Sequence, residues 1–116
     1  MTTEKIMTRF IEIRTYNLKP GTRDAFHALV IEKSLPMLER WQVDVVSYGP
    51  SLHDADSYYL IRSYASVDDL QQSEDAFYSS VEWRDGPREA IIALIDSYAS
   101  AVIEVDEVTL RGLRGG

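Results

Sequence analysis

Two Arg-x-Tyr pairs, Arg14 with Tyr16 and Arg62 with Tyr64, are the residues of this 116-residue chain best suited to holding a small molecule. Each pair sits in an alternating, strand-like run, so its two side chains share a face. If the two runs are neighbours in one sheet, two guanidiniums and two phenols line one cavity. A guanidinium grips a carboxylate through two parallel hydrogen bonds and a phenol adds a further donor, which suits an acidic or carbonyl-bearing ligand. The competing assignment is structural: Arg14 and Arg62 pair with Glu12 or with carboxylates of a second subunit, because a buried arginine requires such partners.

Other polar groups carry weaker chemistry. His53, Asp54 and Asp56 are metal-compatible in type, but their closeness in one short loop fits solvated turn residues better than ligands converging from several directions. His27 lies off the apolar stripe of its segment and has no identifiable partner for general-base work, so a helix-edge role is expected. The acidic run Glu74-Asp75 reads as a solvated helix face, and Trp41 and Trp83 as core or dimer anchors rather than flavin holders. With no cysteine there is no disulfide, thiolate nucleophile or sulfur-ligated metal. No glycine-rich phosphate loop, nucleophile elbow or paired-carboxylate motif is present, and neither a cofactor nor a metal is expected. A net charge of -7 with no basic patch argues against nucleic acid, and no apolar run is long enough to span a membrane. Residues 1–7 lack the positive and apolar segments of a secretory signal, so the cytoplasm is the default location.

The elements that must position these residues follow from periodicity. Phe10 to Tyr16 alternates as a half-buried strand, with Ile11, Ile13 and Thr15 expected to meet the helices and Phe10, Glu12, Arg14 and Tyr16 to face away. Lys19-Pro-Gly-Thr22 turns the chain and offers Thr22 as a helix cap. A helix spans about 23–40, interrupted near Ser34 because Pro36 lacks an amide donor and clashes with the preceding turn. Strands follow at 43–48 and 58–64, joined by a short loop. Ser66-Val-Asp-Asp69 fits a capping box for a second helix ending near Ser79. Asp85-Gly-Pro-Arg-Glu89 opens a third helical segment through Ile91, Leu94, Ile95 and Tyr98, and Ala101 to Val105 is the last strand. Residues 1–9 read as a loose arm, 10–106 as the single domain and 107–116 as a flexible tail.

Strand, helix, two strands, helix pair and strand make an α+β chain. A right-handed crossover that leaves the third strand between the first and second yields a ferredoxin-like, four-stranded antiparallel sheet with helices on one face. The other face, assigned Phe10, Tyr16, Tyr58, Leu60, Tyr64, Ala101 and Ile103, would leave an apolar patch in water, and two-fold pairing of such faces predicts a homodimer. This parity places Arg14, Tyr16, Arg62 and Tyr64 on the dimer face.

Glu12-Ile-Arg-Thr-Tyr-Asn-Leu-Lys-Pro-Gly21, Ser34-Leu-Pro-Met37 and Tyr48-Gly-Pro-Ser51 resemble the NIPSNAP family, as do Ser73-Glu-Asp-Ala-Phe-Tyr78 and Glu82-Trp-Arg-Asp-Gly-Pro87 more weakly. Their order and spacing over about residues 10–105 carry the resemblance. It implies a dimeric α/β-barrel in which two ferredoxin-like sheets pack face to face, and it names no reaction. The fold it implies is shared with small monooxygenases, dismutases and isomerases that use a cavity between sheet and helices. The expected role is binding of a small molecule or partner protein; the alternative is a cofactor-independent monooxygenase or isomerase acting in an Arg/Tyr-lined cavity.

Overall fold

A computed structural model describes residues 7–115. Strand β1 (Thr8–Leu18) leads into helix α1 (Arg23–Leu29), which continues through a π-helical turn at Val30–Ser34 into α2 (Leu35–Arg40). Strands β2 (Asp44–Pro50) and β3 (Ser57–Tyr64) follow, then helices α3 (Val67–Ser79), α4 (Val81–Asp85) and α5 (Arg88–Ile92), strand β4 (Ile95–Asp106) and helix α6 (Glu107–Leu113). The sheet runs β2-β3-β1-β4, antiparallel throughout, so the fold is the expected ferredoxin-like α+β arrangement.

Local chemistry accounts for most boundaries. Pro36 has no amide to continue the helical ladder, and the chain widens into the π turn just before it. The Ser66 hydroxyl accepts the Asp69 amide at 2.9 Å while the Asp69 carboxylate accepts the Ala65 amide at 3.2 Å, which anchors the start of α3. Gly21 supplies a left-handed φ of +78° in the turn after β1. Thr22, expected to cap α1, instead donates its hydroxyl back to the Lys19 carbonyl at 2.7 Å.

Besides the Thr22 cap, the expectations for one helix, for the chain ends and for the sheet faces are corrected. First, the helical pattern expected through Tyr98 stops at Ile92. Residues from Ile95 onward pair with the whole length of β1, Tyr98 opposite Tyr16 and Ile103 opposite Ile11, and these ladder bonds outweigh the 3.6-residue spacing of a few apolar side chains. Secondly, the tail expected over 107–116 begins as α6. Asp106 caps it by accepting the Thr109 amide at 2.8 Å, and Leu110 is buried against Ile11, Val46 and Ile61. In the expected N-terminal arm, Thr8 and Arg9 already belong to β1, and residues 1–6 lie outside the described residues.

The third correction inverts the sheet. Tyr58 and Tyr64 belong to the main core with Phe26, Leu38, Phe77 and Trp83 from the helices, with Tyr16 packed against it, whereas Ile11, Ile13, Ile61 and Val105 lie on the far face beneath α6. The pairwise parity holds but the faces are exchanged. Both faces are apolar enough to be buried, and the larger aromatic side chains fill the deeper space between sheet and helices. Ala101 and Ile103, paired with Ile13 and Ile11, do face away from the helices as expected.

Candidate functional site

Because the faces are exchanged, Arg14 and Tyr16 point between the sheet and α3–α5. There they line a cavity of about 750 Å³, together with Glu74 and Tyr78 of α3, Trp83 of α4, Arg88 and Ile91 of α5, and Tyr98 of β4. Arg62 and Tyr64 share the same sheet face and stand behind this wall.

Four charged groups tie the wall together. Glu12 Oε2 accepts from Arg14 Nη2 at 3.0 Å, and Glu12 Oε1 accepts from both Arg62 Nε, at 3.2 Å, and Arg62 Nη2. Glu74 lies 3.4 Å from Arg14 Nη2 through one oxygen and 3.2 Å from Arg62 Nη2 through the other, which also accepts the Tyr64 hydroxyl at 3.1 Å. The side chains of Arg62 and Glu12 are only 1% and 4% exposed, against 13% and 14% for Arg14 and Glu74. The expected pairing of both arginines with Glu12 is therefore present within one chain, with Glu74 as a second partner. Such a pair survives burial because each charge is matched and hydrogen-bonded.

Tyr78 joins the two arginines. Its oxygen accepts from Arg62 Nη1 at 2.8 Å and from Arg14 Nη1 at 3.1 Å, which occupies both lone pairs and leaves its hydroxyl proton to donate elsewhere. The Arg14 guanidinium also lies over the rings of Tyr98, 4.9 Å from the centroid, and Tyr78, at 5.6 Å, and its Nε donates to Ser100 Oγ at 3.2 Å.

The two carboxyls titrate apart. Burial and a hydrogen bond shared with Glu12 push Glu74 up to about 7, against the pull of Arg62 and Arg14. Burial would also raise Glu12, but that shared bond and the two guanidiniums hold it well below the usual carboxylate range. Burial, then the neighbouring Tyr78 phenol, push Tyr16 up to about 12, so it stays a neutral donor at neutral pH.

Residue-level reading missed Glu74, Tyr78 and Tyr98. Only Asp75 of the acidic run is exposed. The spacing of Glu74 and Tyr78, one helical turn apart, carried the signal that both lie on the face of Leu70 and Phe77. His27, expected without a partner, has its Nδ1 2.6 Å from the Tyr58 hydroxyl at the helix edge. Asp54 accepts the Asp56 amide at 2.8 Å and the Ser57 hydroxyl at 2.7 Å, and Asp56 accepts the Gly21 amide at 3.1 Å, so these loop carboxylates brace turns. Trp83 is a core residue in contact with Phe77 and Tyr78.

The fold is a ferredoxin-like sheet with helices α3–α5 lying over the acid–arginine wall. The NIPSNAP family profile matches residues 11–105, and the chain belongs to the NIPSNAP family. A NIPSNAP family protein from Agrobacterium tumefaciens superposes with a TM-score of 0.80 at 15% identity, covering 96% of each chain. A second protein of that organism, a NIPSNAP family member with unknown function, superposes at 0.76 with 22% identity, over 84% of this chain and 88% of its own. A candidate antibiotic biosynthesis monooxygenase from Bordetella bronchiseptica superposes at 0.64 with 19% identity, over 84% and 94%. No curated protein matches the chain significantly. No helix among the described residues is long and apolar enough to cross a membrane.

Proposed function

We propose that this NIPSNAP protein is a cytoplasmic homodimer that binds a small acidic or carbonyl-bearing molecule in the cavity between sheet and helices. Arg14 is the anchor, Tyr16 and Tyr78 are further donors, and Arg62 and Tyr64 hold the carboxylates behind the wall. The carrying observation is Arg14 itself, a guanidinium on the wall of a cavity of about 750 Å³ beside a phenol whose lone pairs are both already used. That volume falls in the ordinary range for small-molecule sites. Trp83, Ile91, Ile92 and Ile95 add an apolar stretch of lining suited to a hydrocarbon or aromatic body, beside the polar Gln71, Asp75, Ser79 and Arg88.

Thermal-shift measurements with aromatic carboxylates and ketones test the assignment. Ligands of this class should raise the melting temperature of the wild type, since a ligand bound only by the folded state stabilises it, and the rise should vanish in Arg14→Met. An undiminished rise in the variant removes Arg14 as the anchor.

A second reading, a cofactor-independent monooxygenase or isomerase, is favoured by the place of Glu74, which stands on the cavity wall 3.4 Å from Arg14 where burial raises its carboxyl toward the range that exchanges protons at neutral pH. The likeness to a candidate monooxygenase is one of fold.

Homodimer formation rests on the far face. On this face of β4, Ala101 and Ile103 are exposed, Ile103 at 45%, and Ile13 is half-buried beside the buried Ile11 and Ile61. Two-fold pairing of this face would cover the remainder.

A further inference from the structure

Arg14 is not a vacant cation. Its Nη2 is shared between Glu12 at 3.0 Å and Glu74 at 3.4 Å, and of these two carboxylates only Glu74 reaches the cavity wall. With Glu74 ionised, two guanidiniums and two carboxylates make a neutral cluster, so an incoming carboxylate would add an uncompensated negative charge at the cavity wall. The longer Glu74 contact is the one a ligand facing Arg14 from the cavity can replace. A carboxyl displaced from Arg14 in this way keeps Arg62 Nη2, at 3.2 Å, and the Tyr64 hydroxyl as partners of its other oxygen and, once protonated, can donate to Glu12.

We propose that an acidic ligand displaces Glu74 from Arg14 and that Glu74 takes up one proton from solvent as it does so, making the cavity a proton-coupled anion site. The inference rests on the cavity being the ligand site. No covalent bond of the ligand forms or breaks; the transferred proton ends on a Glu74 oxygen and restores charge balance. Glu74 is faced by Glu12 and Arg14 from β1 and by Arg62 and Tyr64 from β3, with Tyr78 one turn along its own helix. Tyr16 of β1, Asp75, the α5 residue Arg88 and the β4 residue Tyr98 complete the titratable surroundings of the cavity. Burial and the bond shared with Glu12 already hold the Glu74 carboxyl near neutrality, so the proton is accessible at physiological pH.

Calorimetric titration with benzoate, ionised throughout the range, at about pH 5.5 and about pH 8.5 tests this when each pH is repeated in two buffers of different ionisation enthalpy. The wild type should bind about thirtyfold more weakly at the higher pH, a factor of ten for each unit above the Glu74 ionisation, with uptake there approaching one proton. Glu74→Gln should bind equally at both pH values, near the low-pH affinity of the wild type, with no uptake from this position. Wild-type binding that is independent of pH and takes up no proton overturns the coupling and leaves the cavity assignment standing. Uptake that persists in Glu74→Gln also overturns it. Absence of benzoate binding at either pH overturns the cavity assignment and the coupling with it.

Discussion

Glu12 and Glu74 show how one carboxylate type acquires two roles from its surroundings. Glu12 is fixed between two guanidiniums and stays ionised, whereas Glu74, at the cavity wall, is raised to about 7. A group whose folded-state pKa is raised contributes stability that is fully present below its unfolded value, here the ordinary 4.5, and lost as pH climbs through about 7. Glu74→Gln removes this loss. In urea melts at about pH 5 and pH 8, the wild type should lose more stability than the variant, by no more than about 3 kcal/mol, each tenfold being worth about 1.4 kcal/mol. Equal losses would show that Glu74 titrates normally. At this scale, strand parity was enough to put Arg14, Tyr16, Arg62 and Tyr64 on one face. Glu74 and Tyr78 lay on a helix whose rotation against the sheet no strand period determines, so their place beside Arg14 was not legible.

At the scale of elements, boundaries followed local chemistry wherever a backbone group had a nearby partner. Ser66 and Pro36 marked their helices in advance, and both effects are present. The end of α2 carries a device that composition concealed. The Gln42 amide donates to the Glu39 carbonyl and the Val43 amide to the Leu38 carbonyl, each at 2.9 Å, with Gln42 in the left-handed region at φ 59°. This is a Schellman ending with glutamine where glycine is preferred. Gln42→Gly should therefore stabilise the fold by about 0.5–1 kcal/mol, since relief of Cβ strain outweighs the added freedom of the unfolded chain. Chemical denaturation checks it, and a destabilised variant would show that the glutamine side chain supplies contacts worth more than the strain. The misplaced start of β4 has a different origin. Ile91, Leu94, Ile95 and Tyr98 recur at helical spacing, and only pairing with β1, distant in sequence, turns the last two into a strand.

At the scale of the whole molecule, the far face keeps Ala101 and Ile103 of β4 exposed. If the face pairs with a second copy, Ile103→Asp should convert a dimer into a monomer in sedimentation at micromolar concentration, because the charge would lie unpaired in the interface. A monomeric wild type removes the homodimer. An Ile103→Asp protein that stays dimeric moves the interface elsewhere. The sequence by itself determined the order of elements from β1 through β4, the antiparallel ferredoxin-like sheet and the family, because alternation, proline, caps and loop length act over a few residues. It also determined which side chains travel together on a strand. Only the tertiary structure decided which sheet face meets the helices, since both faces are apolar and the choice depends on how well aromatic or aliphatic side chains fill the space against particular helices. That one choice moves Arg14 and Tyr16 from a presumed interface into a cavity, and brings Glu74 and Tyr78 to meet them.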